Sequence, residues 1–315
     1  MNHSTVMQFV LVAIAAGTPI IFATVGETLA QRSGVMNLGI EGVMLLSAAV
    51  AFWTASTTHS LLLGVLAAAV AGALAYAMHA VWAISLRVDQ IVLGLAMLIV
   101  CTGLSEYIGS AGGEHPLATR SLPGTIGPVL HGGLASLPLV GPIVFGQDVL
   151  VYLSWIFVAG ASFYLFRTRA GLWVRSVGED PATADAVGIS VVRTRYLHVI
   201  AAGALVGVGG SYVTLALFGA WKDGITAGQG WLAFTIVLFS GWRPYRGLVA
   251  AYLFGGITSI GFKLQLFHIP VPSQILTLLP YLLTLIALVL LSRRTFVKLH
   301  AQPAALGEPF WRESR

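Results

Sequence analysis

The chain has 315 residues, of which 57% are hydrophobic and only 9% are Asp, Glu, Lys or Arg. A typical soluble domain carries about 25% charged residues, so this composition excludes a soluble globular protein. The formal net charge is +5. In a membrane protein such basicity is interpreted loop by loop and does not indicate nucleic-acid binding. The single cysteine, Cys101, lies in an apolar run and is expected to serve packing.

Long apolar runs predict an all-α, polytopic bundle of transmembrane helices. A spanning helix needs about 20 residues, and the predicted spans are residues 6–26, two spans within 42–86, 90–105, 149–166, 196–221, 230–242, 247–262 and 273–292. This gives about nine crossings, or eight to ten if the segment near Asn37 is re-entrant. Residues 106–148 contain five prolines, which predicts an external loop with a short amphipathic piece.

The distribution of arginine predicts how this single transmembrane domain is oriented. Residues 167–195 contain five Arg, and the C-terminal tail, residues 293–315, begins with two more. By the positive-inside rule both segments are expected in the cytoplasm. The loop then separates a first half, residues 1–166, from a second half, residues 196–292. The same counting places four further arginines at the cytoplasmic face: Arg32, Arg87, Arg243 and Arg246.

Two segments rich in glycine and polar residues interrupt the apolar runs. The first is residues 27–42, and the second, residues 226–241, encloses an apolar piece of about half a span. Irregular backbone at membrane depth survives only where protein buries it or where it lines a water-filled cavity. Such interruptions in corresponding positions of two halves indicate a transport pathway. The alternative is that both segments are tight loops at the surface.

Polar and aromatic side chains at the two breaks are the candidate pathway residues. Glu27 and Glu41 either lie inside the membrane as functional groups or lie at its interface with Arg32 as a partner. Asn37 either hydrogen-bonds substrate or caps a helix, and capping is favoured. Most aromatic side chains near the second break are expected to pack, while one or two could stack on a ring-shaped ligand. The predicted pathway residues are Asn37, Glu41, Phe218, Gln229, Trp231 and Phe234.

Residues 177–189 predict a short helix in the cytoplasmic loop. Asp180 is a favourable N-cap, Pro181 suits the first helical position and Gly188 is a natural stop. A helix of under two turns is unstable alone in water. Its caps therefore suggest a docking role, and the alternative is an ordered connector.

The sequence contains no phosphate-binding G-x-x-x-x-G-K-[ST] loop, no His-Glu-x-x-His and no Gly-x-Ser-x-Gly motif. No catalytic residue, metal ligand or cofactor is therefore predicted on this chain. Uphill transport would need a partner or an ion gradient, and in a self-sufficient secondary transporter Glu27 and Glu41 would carry the coupling protons. An intramembrane enzyme is disfavoured, because no acid–base or metal constellation is present.

Four motifs follow one another along the chain. They are SGVMNLGIEG at residues 33–42, the loop at 178–189, the pair GQGW and GWRP at 228–231 and 241–244, and the tail ALGEPFWRE at 305–313. Together they resemble the permease subunits of bacterial ABC importers for simple sugars and nucleosides. The loop resembles that family's G-x-N-P-x-A-A-x-x-x-G-I coupling helix, and the tail resembles the nucleoside-type branch.

The resemblance implies that the short helix docks into a groove on a separate ATPase subunit. Asp180 stands where the family usually has Asn, and Thr183-Ala184 replaces the usual Ala pair. Both substitutions keep a short capped helix and leave the exact ATPase partner open. The expected coupling residues are Gly178, Asp180, Pro181, Ala182, Thr183, Ala184, Asp185, Val187, Gly188 and Ile189.

The resemblance also implies the rest of the assembly. An ATPase subunit with two nucleotide-binding domains would hold ATP and Mg, a second homologous permease would complete the pathway, and an external lipoprotein would deliver substrate. The chain would be a multi-pass protein of the bacterial inner membrane, in contact with lipid and not with nucleic acid, and its C-terminus would be cytoplasmic. Nucleosides or related ribose-containing solutes are the expected substrates, and pentose sugars are the alternative.

Overall fold

The computed structural model describes residues 3–110, 116–130, 140–266, 282 and 302–312. The first five helices are α1 (His3–Arg32), α2 (Ile40–Thr58), α3 (Leu61–Ala80), α4 (Gln90–Ser110) and α5 (Val149–Arg167). The second five are α6 (Arg169–Glu179), α7 (Pro181–Ala186), α8 (Val191–Tyr212), α9 (Gln229–Ser240) and α10 (Pro244–Leu266). Stretches of π-helix continue α3 to Ser85 and α8 to Phe218.

The fold is an all-α polytopic membrane bundle, as predicted. Within the described parts of the chain, six helices are long and apolar enough to cross a membrane: Met7–Arg32, Ile40–Thr58, Leu61–Ser85, Gln90–Ser110, Val149–Arg167 and Val191–Phe218. The predicted span at residues 273–292 lies outside the described residues, apart from residue 282, so the expected total of about nine crossings stays a prediction.

The second break contains a helix of about half a span, as its apolar piece predicts, so the full crossing counted at residues 230–242 is wrong in length. Residues 230–242 were expected to cross the membrane, yet α9 has 12 residues. At 1.5 Å per residue it is about 18 Å long, which is well short of a hydrocarbon core of about 30 Å. Glycines in the left-handed conformation, Gly228 at φ 82° and Gly241 at φ 62°, end it on both sides. The apolar piece is therefore a half-helix.

Helices α1 and α8 form the centre of the bundle. In the 18-residue apolar stretch of each, 72% is buried, against 28% in the corresponding stretches of α3 and α4. Glycine residues allow the backbones of α3 and α8 to approach each other closely. A Cβ on Gly72 of α3 would lie 2.2 Å from the carbonyl oxygen of Gly203 on α8, and one on Gly207 would lie 2.2 Å from that of Ala68. Small residues that bring backbones together are the usual device of helix association in membranes.

The predicted external segment, residues 106–148, begins later than expected because α4 continues to Ser110. Its described part holds a single 3₁₀ turn, Leu117–Thr119, and a π-helical turn, Gly141–Phe145. Asp148 caps the start of α5 by accepting from the amides of Leu150 and Val151 at 2.9 and 3.0 Å. This segment therefore lies at the end of α5 opposite to α6 and α7.

Candidate functional site

The first break is shorter than the sequence predicts. The helix α1 runs unbroken through Glu27 to Arg32, and α2 starts at Ile40, so only residues 33–39 are irregular. The polar residues Glu27, Thr28 and Gln31 do not interrupt α1, because each finds a hydrogen-bond partner within the bundle. The Gln31 amide donates to the Glu27 carboxylate one turn earlier, at 2.9 Å.

Glu27 is completely buried and has partners from α1 and α3. The Tyr76 hydroxyl donates to its second oxygen at 2.6 Å. Gln31, in turn, accepts a hydrogen bond of 2.8 Å from the indole N–H of Trp242. Of the two alternatives for Glu27, the interfacial pairing with Arg32 is therefore wrong. Glu27 belongs to a chain of hydrogen bonds that links α1, α3 and the turn after α9.

The irregular backbone of the first break is held by side chains from three places. The carbonyl oxygen of Met36 lies 3.0 Å from His79 Nε2, and the backbone N–H of Met36 donates to the side-chain oxygen of Gln90 at 2.9 Å. Asn37 accepts from the Gly39 amide at 2.8 Å, a local turn just before α2. The favoured capping role is therefore wrong, because Gly39 is the residue that precedes α2 and no side chain caps that helix; a contact of Asn37 with substrate stays a prediction.

The carboxylate of Glu41, at the start of α2, accepts hydrogen bonds from the N-terminal end of the half-helix α9. One oxygen accepts from the Thr226 hydroxyl at 2.5 Å and the Gly228 amide at 2.9 Å, and the other accepts from the Gly230 amide at 2.7 Å. Glu41 is 7% exposed. Helix N-termini leave amides without partners and carry a partial positive charge, so a buried carboxylate is stabilised here.

Arg32, at the end of α1, donates hydrogen bonds to the C-terminal end of α9. Its guanidinium donates to the carbonyl of Gly241 at 3.2 Å and, more weakly, to that of Trp242 at 3.4 Å. It also lies 3.8 Å from the Glu179 carboxylate. The C-terminal end of a helix is partially negative. The two charges that flank the first break therefore match the dipole of the half-helix that forms the second break.

The structure brings some of the predicted pathway residues together and separates others. Gln229 and Trp231 open α9 beside Glu41, and Phe234 lies one turn further along, packed on the main hydrophobic core. Phe218 ends the π-helical extension of α8 and is 46% exposed. Their predicted contacts with substrate remain predictions.

The short helix predicted in the loop is confirmed as α7. Asp180 accepts from the amides of Ala182 and Thr183 at 3.1 and 3.0 Å, and from the Thr183 hydroxyl. The hydrogen bond from the Thr183 hydroxyl contributes most, and together with the two amides it holds the pKa of the Asp180 carboxyl below its usual range. Pro181 is the first helical residue, and Gly188, at φ 87°, follows the end.

One face of α7 packs on the protein and the other faces outward. Ala184 is buried in a small cluster with Val177 and Val191, whereas Ala182 is exposed and Val187 is 72% exposed. The outer face of α7 is therefore open to a partner. The docking role itself stays a prediction.

The expected loop at residues 167–195 is largely helical, and its arginines differ in environment. Arg175 of α6 lies with Arg32 and Arg243 around the ring of Phe166, each guanidinium within 6 Å of the ring centre, at 5.4, 5.8 and 5.8 Å. These arginines therefore share one face with α7, as the charge pattern predicts. Arg195, by contrast, lies inside α8 and is 1% exposed.

Sequence reasoning missed four residues that bond to the two breaks: His79, Gln90, Thr226 and Arg195, whose guanidinium donates to the Ser33 carbonyl at 3.2 Å. Each acts on a segment far away in the chain, and no local pattern marks such a pair. Among the described residues no group of three or more His, Cys, Asp or Glu side chains could hold a metal ion.

Comparisons with known proteins agree with this architecture. Residues 9–290 match the family model described as "Branched-chain amino acid transport system / permease component". A putative glucose ABC transporter permease of Haloferax volcanii is 34% identical, over 95% of this chain and 96% of that protein. The nucleoside permease NupC of Lactococcus lactis and the guanosine permease NupQ of Bacillus subtilis are each 32% identical; the match with NupC covers 92% of this chain and 94% of that protein, and that with NupQ 94% of both. No solved structure matches. The chain therefore belongs to this family of ABC transporter permeases and is a transport subunit rather than an enzyme.

Proposed function

We propose that this chain is a permease subunit that moves nucleosides inward through the bacterial inner membrane, driven by a separate ATPase subunit. The observation that carries the proposal is α7, a helix of six residues whose caps are complete and whose outer face is exposed. So short a helix gains little stability of its own. Its order is explained by a surface that must present a fixed shape to a partner.

The partner that fits α7 is an ATPase subunit with two nucleotide-binding domains, which would hold ATP and Mg. The face that bears α7, Arg175 and Arg243 is then cytoplasmic, in accord with the positive-inside rule, and the tail ends there. A second, homologous permease would complete the pathway, and an external lipoprotein would deliver the substrate.

Nucleosides are proposed as substrates on the basis of two relatives, NupC and NupQ, whose names state nucleoside or guanosine transport. A second candidate, transport of simple sugars, is supported by the relative from Haloferax volcanii that is named a putative glucose permease and is 34% identical. The ribose ring of a nucleoside is itself a sugar, so both readings need a pathway that accepts several hydroxyl groups.

The geometry speaks against a self-sufficient transporter in which Glu41 carries protons. Both of its oxygens accept hydrogen bonds from backbone amides or a hydroxyl of the second break. Protonation would remove acceptor capacity from a buried site, and an unsatisfied buried donor costs about 1–3 kcal/mol. The bonding of Glu41 suits a fixed structural charge.

Uptake by intact cells tests the proposal. Cells with and without this chain are compared for uptake of labelled guanosine, uridine, ribose and glucose. Loss of guanosine and uridine uptake alone supports the nucleoside permease. Loss of ribose or glucose uptake alone supports the sugar permease, and unchanged uptake of all four contradicts both.

A further inference from the structure

Part of the C-terminal tail, residues 303–312, lies folded against the face of the protein that bears α7. Its first residues form a turn, in which the Leu306 amide donates to the Pro303 carbonyl at 3.0 Å and the Glu308 amide to the Ala305 carbonyl at 3.2 Å. Gly307 has φ 83°, in the left-handed region that favours glycine. The family match covers residues 9–290 and so does not include this segment.

The turn bridges the end of α6 and the first break through backbone hydrogen bonds. The Ala305 amide donates to the carbonyl of Gly178, three residues before the start of α7, at 2.9 Å. The Gly307 amide donates to the Gly34 carbonyl at 3.1 Å. One short segment therefore holds the support of α7 and the irregular backbone of the break at the same time.

The buried guanidinium of Arg195 makes the same connection from within the bundle. Its Nε donates to the Ser33 carbonyl at 3.2 Å, and its Nη1 donates to the Glu308 carbonyl at 3.0 Å. Arg195 is 1% exposed. One planar guanidinium therefore links the backbone of Ser33 in the first break to that of Glu308 in the tail.

The far end of the segment contacts α7 itself. Phe310 packs on the cluster of Val177, Ala184 and Val191, of which Ala184 belongs to α7. Arg312 lies 3.4 Å from the Asp185 carboxylate, but its side chain is 80% exposed, so this ion pair contributes little. Phe310 is therefore the main contact between the tail and α7.

We propose that residues 303–312 form a strap that positions the first break relative to α7. When the ATPase displaces α7, the strap and Arg195 carry that displacement to residues 33–39. Arg32 and Glu41, on either side of the break, then move the half-helix α9 with it. This inference rests on the proposed function, since it requires an ATPase at α7.

The test measures transport and ATP hydrolysis in the same proteoliposomes, with the complete complex and labelled guanosine. Two variants weaken the strap: Phe310→Ala removes its packing on α7, and a chain that ends after Gln302 lacks it altogether. Gln302→Ala is the control, because this exposed residue precedes the strap. Co-purification with the ATPase is measured for each protein.

The strap predicts uncoupling. In Phe310→Ala the ATPase still co-purifies and hydrolyses ATP, while the amount of guanosine transported per ATP falls several-fold. In the shortened chain this ratio falls further, and in Gln302→Ala it equals that of the wild type. An unchanged ratio in Phe310→Ala overturns the inference, as does a parallel loss of ATPase binding, hydrolysis and transport in that variant, which would show a purely stabilising contact. Failure of the wild-type chain to bind any ATPase would instead overturn the proposed function.

Discussion

The Glu41 carboxylate accepts a hydrogen bond of 2.7 Å from the Gly230 amide, which ties the start of α2 to the start of α9. At the other end of α9, Arg32 donates to the Gly241 carbonyl at 3.2 Å. Since a helix is partially positive at its N-terminus and negative at its C-terminus, both contacts are electrostatically favourable. The first break and the half-helix are thus one mechanical unit, although they belong to different halves of the chain.

Glu41→Gln is expected to destabilise the protein. One of its acceptor oxygens becomes an amide that can only donate, so buried donors of the second break lose their partner, at a cost of about 2 kcal/mol or more. Thermal unfolding in detergent checks this, with the exposed Glu106→Gln as the matched control. Equal melting temperatures for the two variants would show that the carboxylate is not needed to hold α9.

Gly178→Ala is expected to abolish uptake while the protein still inserts into the membrane. The added Cβ would lie 2.2 Å from the Arg32 carbonyl oxygen, and because that oxygen belongs to the backbone and cannot swing aside like a side chain, α6 must move away from the first break. Gly103→Ala in α4 is the control, since nothing lies within 4 Å of its Cβ. Normal uptake by Gly178→Ala would mean that this close approach is dispensable.

Val187→Asp is expected to leave the fold intact and to prevent binding of the ATPase. The side chain is 72% exposed at the end of α7, so a carboxylate there costs the fold little but would be desolvated in an interface. Val129→Asp, 54% exposed near the opposite end of α5, is the control. Pull-down of the ATPase measures the effect, and equal recovery with both variants would exclude α7 as the docking site.

Tyr76→Phe is expected to lower stability by about 1–3 kcal/mol, because the buried Glu27 carboxylate loses a donor at 2.6 Å. Tyr107→Phe, at a residue that is 68% exposed, removes a hydroxyl without such an effect. Chemical unfolding of the two purified variants gives the comparison. If they unfold alike, the hydrogen bond to Glu27 contributes nothing to the fold.

Local signals in the sequence predicted the local structure well. Asp180, Pro181 and Gly188 form the start and stop of α7 as expected, because caps act within a few residues of themselves. The apolar runs likewise predicted α2 to α5 to within a few residues at most ends. These features depend on residues that are neighbours in the chain and on the length of the apolar runs, and both can be read directly from a sequence.

The features that failed depend on contacts between distant segments. Glu27 stays in a helix because Tyr76 and Gln31 bond to it, and the polarity of the segment alone suggested a break. The charge pattern counted Arg195 among the arginines of the cytoplasmic loop, whereas it lies in α8 and is buried between the first break and the tail. No periodicity or spacing marks such pairs, so only the folded chain shows them.

Accumulation of labelled guanosine in proteoliposomes that contain the complete complex tests the central claim most directly. The energy source is varied: ATP on the α7 side without an ion gradient, or a proton gradient without ATP. The account predicts accumulation with ATP alone, and its loss when Val187→Asp replaces the wild-type chain. Accumulation driven by the proton gradient without ATP, and abolished by Glu27→Gln or Glu41→Gln, would contradict it.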